Sequence, residues 1–244
     1  MPGAVAVEIR QSIAILTLTN EGRLNAMDAA FAAGLAQAVA AAKQRSDIGA
    51  LILRGAGDQA FCAGVDLKYA QATGNRAAAF AAVGKHVAEF CRDMAALPFP
   101  SIAMLQGVCY GGGVHLASTA DFRFADTSLK LAIPAVKNRL FYPIPALERL
   151  TYLIGPSRTR RLLLEGAAMP PETLLSWGLI DEVLAPGAIE EATLAFALRL
   201  AAQPREIMRA YLDILRAVER GDSAAAKALR QAAQAAEVER GRKA

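Results

Sequence analysis

Short apolar runs punctuated by glycine and proline set the plan of this chain. Val5 to Ile9 and Ile13 to Thr19 alternate apolar and polar positions, which predicts two strands joined by a tight turn near Gln11. Ala50 to Arg54 and Ser101 to Leu105 are nearly unbroken apolar runs and predict buried strands. Asp121 to Ala125 alternates again, and Leu129 to Ile133 predicts one strand more. Between these runs the period changes. Phe31, Leu35 and Val39 recur every four residues behind Asp28, the pattern of a helix capped by that carboxylate. A polar loop from Gln71 to Arg76 precedes a second helix to about Ala96, which Pro98 and Pro100 end. From roughly Pro145 to Lys243 the pattern is helical, broken at Gly155-Pro156, Gly166, Pro170-Pro171, Gly178, Pro186-Gly187, Pro204 and Gly221-Asp222. Leu194, Leu198 and Ala201 share one helical face, which reads as core packing. Strands alternating with helices predict the α/β class.

Two stretches depart from plain packing. Gln106 to Leu116 contains Gly111-Gly112-Gly113 between the run Ser101–Leu105 and a helix-like run from Val114 to Thr119. Glycines at a strand-to-helix junction let the backbone approach a bound group closely. The first N–H groups of the helix point outward with the positive end of its dipole, which suits an oxygen that becomes anionic. Phe61 to Leu67 repeats the scheme after Ala50–Arg54 and a loop with Gly55, Gly57 and Asp58. Two such junctions can aim two N–H donors at one oxygen. The plain alternative is a pair of flexible turns.

Composition narrows the field. The chain has 244 residues, 54% of them apolar and 20% charged, enough for one large domain with a substantial core. No apolar stretch is long enough to cross a bilayer, and the first residues lack the basic start and apolar core of a signal peptide, so a cytoplasmic location is expected. The net charge of +4 comes from basic residues spread along the chain, with small clusters at Arg158, Arg160 and Arg161 and at Arg240, Arg242 and Lys243. No basic run interleaved with aromatics occurs, so nucleic acid is not an expected partner. A mild positive balance suits a phosphate-bearing ligand. Cys62, Cys91 and Cys109 form no Cys-x-x-Cys pair, and His86 and His115 are the only histidines, so no metal site is expected. The cysteines read as small buried apolar residues; Cys62 and Cys109, beside the two junctions, also admit a catalytic thiol. Neither Gly-x-Gly-x-x-Gly, Gly-x-Ser-x-Gly nor a P-loop is present, which removes the dinucleotide, serine-hydrolase and nucleotide-phosphate readings.

Taken together, Arg23-Leu24-Asn25-Ala26-Met27, Ala60 to Leu67, Gly107 to Asp121 and Gly178 to Val183 resemble the crotonase family of enoyl-CoA hydratases and isomerases, in the right order over nearly the whole chain. The resemblance implies a spiral of ββα units followed by a helical C-terminal region that packs trimers, with a core over 1–195 and the helical region over 196–244. It implies an acyl-CoA substrate, no separate cofactor, and a homotrimer or hexamer. It places Val65 N–H and Gly112 N–H as oxyanion donors. Arg23, Leu24 and Ala26 fall where the family contacts the nucleotide end of coenzyme A, and Ala63, Gly64, Val65, Asp66, Leu67, Gly111 and Gly112 fall along the bound thioester. Lys68 reads as a phosphate contact or a solvated lysine.

The departures concern the acid/base groups. Hydratases of this family carry two glutamates; the corresponding positions here are His115 and Ala135, and Glu148 is too far along to substitute. The glycine-rich segment usual nearby is replaced by Leu140 to Pro145. Adding water to an enoyl thioester needs a base for the water and an acid for the α-carbon. Ala135 supplies neither. His115, in the first turn of a helix whose dipole disfavours imidazolium, reads as a neutral base or as a core histidine. Tyr142 reads as a second proton donor or a pocket wall, and Arg139 and Lys137 as carboxylate contacts or solvated cations. Phe80, Phe90, Phe141 and Trp177 read as pocket or core. Three functions remain open: enoyl-CoA hydration or isomerisation with His115 as acid/base, decarboxylation or hydrolysis through the same oxyanion donors, and acyl-CoA binding with little turnover.

Overall fold

The computed structural model describes residues 3–20 and 22–241. Glu21 of the Asn20–Ala26 loop, and Arg242 and Lys243 of the second basic cluster, lie outside them. The chain opens with a hairpin of β1 (Ala4–Arg10) and β2 (Ile13–Thr19), turned at Gln11. Helix α1 (Ala29–Lys43) follows; the Asp28 carboxylate accepts the Phe31 N–H at 2.8 Å and caps it, and Phe31, Leu35 and Val39 are buried.

Three strand–strand–helix units come next. The first is β3 (Ala50–Gly55), β4 (Ala60–Cys62), then α2 (Leu67–Ala72) and α3 (Arg76–Met94). The second is β5 (Ser101–Leu105), β6 (Val108–Tyr110) and α4 (Gly112–Thr119). The third is β7 (Phe122–Asp126), β8 (Lys130–Ala132) and α5 (Ile144–Glu165), kinked at Gly155. First strands of successive units pair in parallel as β3-β5-β7, and second strands as β4-β6-β8. Each unit is therefore one turn of a spiral with two sheets, and each strand-to-helix junction emerges beside the one before.

The expectation of helix throughout from Pro145 needs one correction. After α6 (Pro171–Trp177) a short strand, β9 (Glu182–Leu184), pairs in parallel with β7 and completes a sheet ordered β1-β2-β3-β5-β7-β9. Buried Arg123 explains the attachment. Its side chain donates to the Leu179 and Ala120 carbonyls at 2.7 and 2.6 Å, and Asp181 accepts its backbone N–H at 2.7 Å. Helices α7 (Ile189–Ala201), α8 (Arg205–Glu219) and α9 (Ser223–Gly241) close the chain. The expected division near residue 195 falls inside α7. Leu194, Leu198 and Ala201 pack α7 on Ile52, Ile102 and Phe124 of the six-stranded sheet, so this face is core.

Candidate active site

The two glycine junctions lie against each other. A side-chain carbon at position 64 would stand 2.9 Å from the Tyr110 carbonyl oxygen and 3.0 Å from the Gly112 nitrogen, and Gly64 has φ +91°. Only glycine fits such a contact and such a backbone. Gly113 serves α4 in the same way, because a Cβ there would run into the Cys62 carbonyl oxygen. Met27 clamps the first junction from the other side. Its N–H donates to the Gly64 carbonyl at 2.7 Å, and its own carbonyl accepts the Asp66 N–H at 2.8 Å. The Val65 N–H between these bonds has no acceptor among the described residues, and neither has the Gly112 N–H at the start of α4.

These junctions wall a cavity of about 450 Å³. Ala63, Gly64, Val65, Leu67, Gly111, Gly112, His115 and Tyr142 of the expected site line it, as do Ala135, Phe80 and Phe141. No carboxylate, lysine or arginine does so among the described residues. Arg23, Leu24, Ala26 and Asp66 stand outside this lining. The Asp66 carboxylate caps α2, accepting the Lys68 and Tyr69 N–H groups at 2.8 and 3.2 Å, and pairs with Arg23 at 2.5 Å. Arg23 and Leu24 belong to the loop beside the junction, where the Leu24 carbonyl accepts the Ala63 N–H at 3.0 Å. Asn25 fixes that loop: buried at φ +54°, it accepts the Asn20 N–H and donates to the Ala56 and Ala60 carbonyls at 3.1 and 2.8 Å. Lys68 and Glu148 are exposed and apart from the cavity, and Lys137 is bonded to the Gly166 carbonyl. Asn138, which no spacing in the sequence distinguishes, is a polar group of the cavity wall.

His115 is 6% exposed. Burial lowers its pKa to about 4, so the ring is neutral at neutral pH. Its Nε2 lies 3.4 Å from Cys91 Sγ, and the ring is tilted at 53° to that of Tyr142. The Tyr142 hydroxyl donates to the Gly111 carbonyl at 2.8 Å, and burial pushes its pKa well above the ordinary phenol range, so it keeps its proton. That proton is committed to the peptide whose other end is the Gly112 N–H. Burial also raises the thiols, Cys62 to about 12 and Cys91 to about 11, with Cys109 well above the usual range. The thiols beside the junctions are therefore packed, protonated groups and not nucleophiles, which sets aside the catalytic-thiol reading. His86 pairs with Glu89 at 2.8 Å, away from the cavity. No cluster of metal-binding side chains occurs among the described residues, and none of their helices is long and apolar enough to cross a membrane.

A spiral of ββα units whose adjoining helix starts face one apolar cavity is the architecture of the crotonase class. The chain belongs to the enoyl-CoA hydratase/isomerase family, whose model matches residues 8–241. It is 27% identical over 198 residues to an (E)-benzylidenesuccinyl-CoA hydratase of Thauera aromatica, covering 81% of this chain and 76% of that protein. It is 33% identical over 168 residues to a probable enoyl-CoA hydratase of Mycobacterium avium, covering 68% of this chain and 64% of that protein. A crystal structure of an enoyl-CoA hydratase from Bacillus anthracis superposes with a TM-score of 0.88 at 25% identity, over 94% of this chain and 89% of that one.

Proposed function

We propose that the protein acts on an acyl-CoA thioester, holding the thioester oxygen between Val65 N–H and Gly112 N–H while an enolate forms. His115 is the acid/base that moves the proton. The observation that carries this reading is a pair of N–H groups, unpartnered among the described residues, at one cavity whose described lining holds a single imidazole, His115. Tyr142 acts through the Gly111 carbonyl: its hydrogen bond holds and polarises the peptide that presents the Gly112 N–H. Arg23, Leu24 and Ala26, in the loop beside the first junction, are proposed to meet the nucleotide end of coenzyme A.

A single neutral base suits a double-bond shift. His115 takes a proton from one carbon, the double bond moves through the enolate, and the same proton returns at another carbon, with no net change in atoms or charge. Hydration fits if His115 serves the water and the α-carbon in turn, and the names of the Thauera and Mycobacterium relatives favour that reaction. The positions of the two family glutamates are assigned to His115 and Ala135, and both line the cavity. A second reading draws on the absence of any lining carboxylate among the described residues. Decarboxylation of a thioester with a carboxylate on its α-carbon (malonyl type) breaks the bond between that carbon and the carboxylate, releases carbon dioxide and leaves the enolate directly, so it needs only one later proton.

The test is proton NMR of crotonyl-CoA and butyryl-CoA with the protein in D2O. Exchange of the butyryl α-protons is expected, and hydration or isomerisation of an enoyl thioester is expected beside it. Tight binding of coenzyme A thioesters with neither exchange nor turnover would leave a binding protein and sink the enzyme reading.

The C-terminal helices support a homotrimer or hexamer. Tyr211, Leu215 and Val218 are 62%, 54% and 53% exposed along one stripe of α8, an apolar face left open among the described residues. A monomeric mass by light scattering at micromolar concentration would remove the oligomer.

A further inference from the structure

The first cavity does not end at His115. A second chamber of about 410 Å³ shares Gly84, Val87, His115 and Pro143 with it, so the imidazole stands between the two. The chambers differ in kind. The first has no charged lining among the described residues, whereas the second is lined by Arg92 and Asp121 as well as Arg149 near the start of α5 and Arg216 and Glu219 of α8. We propose that this second chamber receives the distal end of the acyl group and selects one that ends in a carboxylate, with Arg216 as the group that binds it. The inference rests on the reading of the first cavity as an acyl-thioester site.

The hydrogen bonds single out Arg216. Arg149 has each of its three nitrogens engaged: Nε donates to the Ser118 carbonyl at 2.9 Å, Nη2 to the Ala120 carbonyl at 3.3 Å, and Nη1 pairs with Glu219 at 2.9 Å. Asp121 is engaged through Oδ2, which accepts the Ser101 N–H and hydroxyl at 2.8 and 2.7 Å. Arg216 spends only Nη1, on the Leu97 carbonyl at 2.8 Å. Its Nη2 is buried without a hydrogen-bond partner, and its side chain is 12% exposed. Nη2 lies 3.9 Å from Asp121 Oδ1 and Nη1 3.8 Å from Asp213 Oδ1, ion pairs too long to be hydrogen bonds.

A buried guanidinium nitrogen without an acceptor is costly, and leaving it so is unusual in a folded protein. A carboxylate answers it best, because two oxygens match the planar fork of the guanidinium. Arg216 is one of the residues that line the chamber. An acyl chain anchored at Val65 and Gly112 and running past His115 delivers its far end to this place. The phosphates of coenzyme A leave at the other end of the thioester, so the anion that arrives here belongs to the acyl group.

Calorimetric titration of the full chain with saturated thioesters tests this without requiring turnover. Glutaryl-CoA and adipoyl-CoA are compared with butyryl-CoA and hexanoyl-CoA. At one chain length or more, the carboxylated thioester is expected to bind about tenfold more tightly than the neutral one. Arg216→Met is expected to abolish that preference and leave hexanoyl-CoA affinity within about twofold. Equal affinity for carboxylated and neutral thioesters at every length overturns the inference and leaves the thioester reading intact. A preference that survives Arg216→Met moves the carboxylate away from Arg216 and overturns it too. Binding of no thioester removes both readings together. Because Arg216 also ties α8 to Leu97, the wild-type comparison stands as a decision by itself if the variant does not fold.

Discussion

Gly64→Ala is expected to lower turnover of an acyl-CoA thioester by about a hundred- to a thousand-fold, the usual effect of losing one oxyanion donor. The added carbon would sit 2.9 Å from the Tyr110 carbonyl oxygen and 3.0 Å from the Gly112 nitrogen. Both are backbone atoms, so neither can swing aside as a side chain would. Relief requires the turn carrying Val65 to move off the start of α4, and that movement separates the two N–H groups. Alanine at φ +91° adds backbone strain of about 1–2 kcal/mol. A stability loss of that size leaves the fold in place, because Met27 still clamps both neighbours of Val65. Gly57→Ala separates the two effects. Gly57 has φ +69° but nothing within 4 Å of a new Cβ, so it takes the same strain without the contact. Steady-state kinetics and urea denaturation of both variants decide the matter. A stability loss at position 64 at least as large as at position 57, with activity lost only at position 64, is expected. Near-normal turnover in Gly64→Ala, or an equal loss in Gly57→Ala, would show that the approach of the two junctions does not serve the chemistry.

That contact also marks the limit of what the sequence conveys. Period and punctuation place β2 and β5 as they stand and α1 behind its Asp28 cap, because each follows from apolar spacing within a short window. Of the four three-residue strands, β8 falls within the predicted run Leu129–Ile133, whereas β4, β6 and β9 are too short to carry a period. They exist because a neighbouring unit of the spiral offers them an edge, which is a fact of tertiary structure. For the same reason β9 falls within a stretch that reads as helix, held there by Arg123 from far along the chain. The site divides likewise. The glycine junctions are legible because glycine is demanded by backbone geometry. The partner of the Tyr142 hydroxyl, the three bonds of Asn25 and the orphaned nitrogen of Arg216 depend on contacts between segments remote in sequence. Asp66 shows the converse. It belongs to a recognisable motif, but its carboxylate is spent on capping α2 and pairing with Arg23.

His115→Gln is expected to change two measurements, each through the position of the ring. Turnover at neutral pH should fall by about a hundred- to ten-thousand-fold if the imidazole is the acid/base, since no carboxylate among the described residues lines the cavity to replace it. Acid stability should change in the opposite direction. Burial lowers the folded-state pKa of His115 to about 4, against 6.5 for the ordinary imidazole. Between these values the unfolded chain binds a proton that the folded chain does not. Stability of the wild-type protein therefore decreases as pH falls from about 6.5 to about 4, by about 3 kcal/mol from this group alone. Below the folded pKa both states are protonated and the contribution levels off. Glutamine does not titrate, so His115→Gln should lose this slope and gain on the wild type across that window. Urea midpoints of the two proteins at pH 7 and pH 4.5 measure the difference, with other titrating groups common to both. Parallel pH dependences would mean that the imidazole meets water or a counter-charge, contrary to its burial against Cys91 and Tyr142. The same pKa sets the rate profile: a base that stays unprotonated down to about pH 4 gives kcat/KM with its acid limb near there, well below the limb near 6.5 of an exposed histidine. A limb near 6.5 would place the working base in a wetter site than the one His115 occupies, and unchanged turnover in His115→Gln would remove the histidine from the reaction.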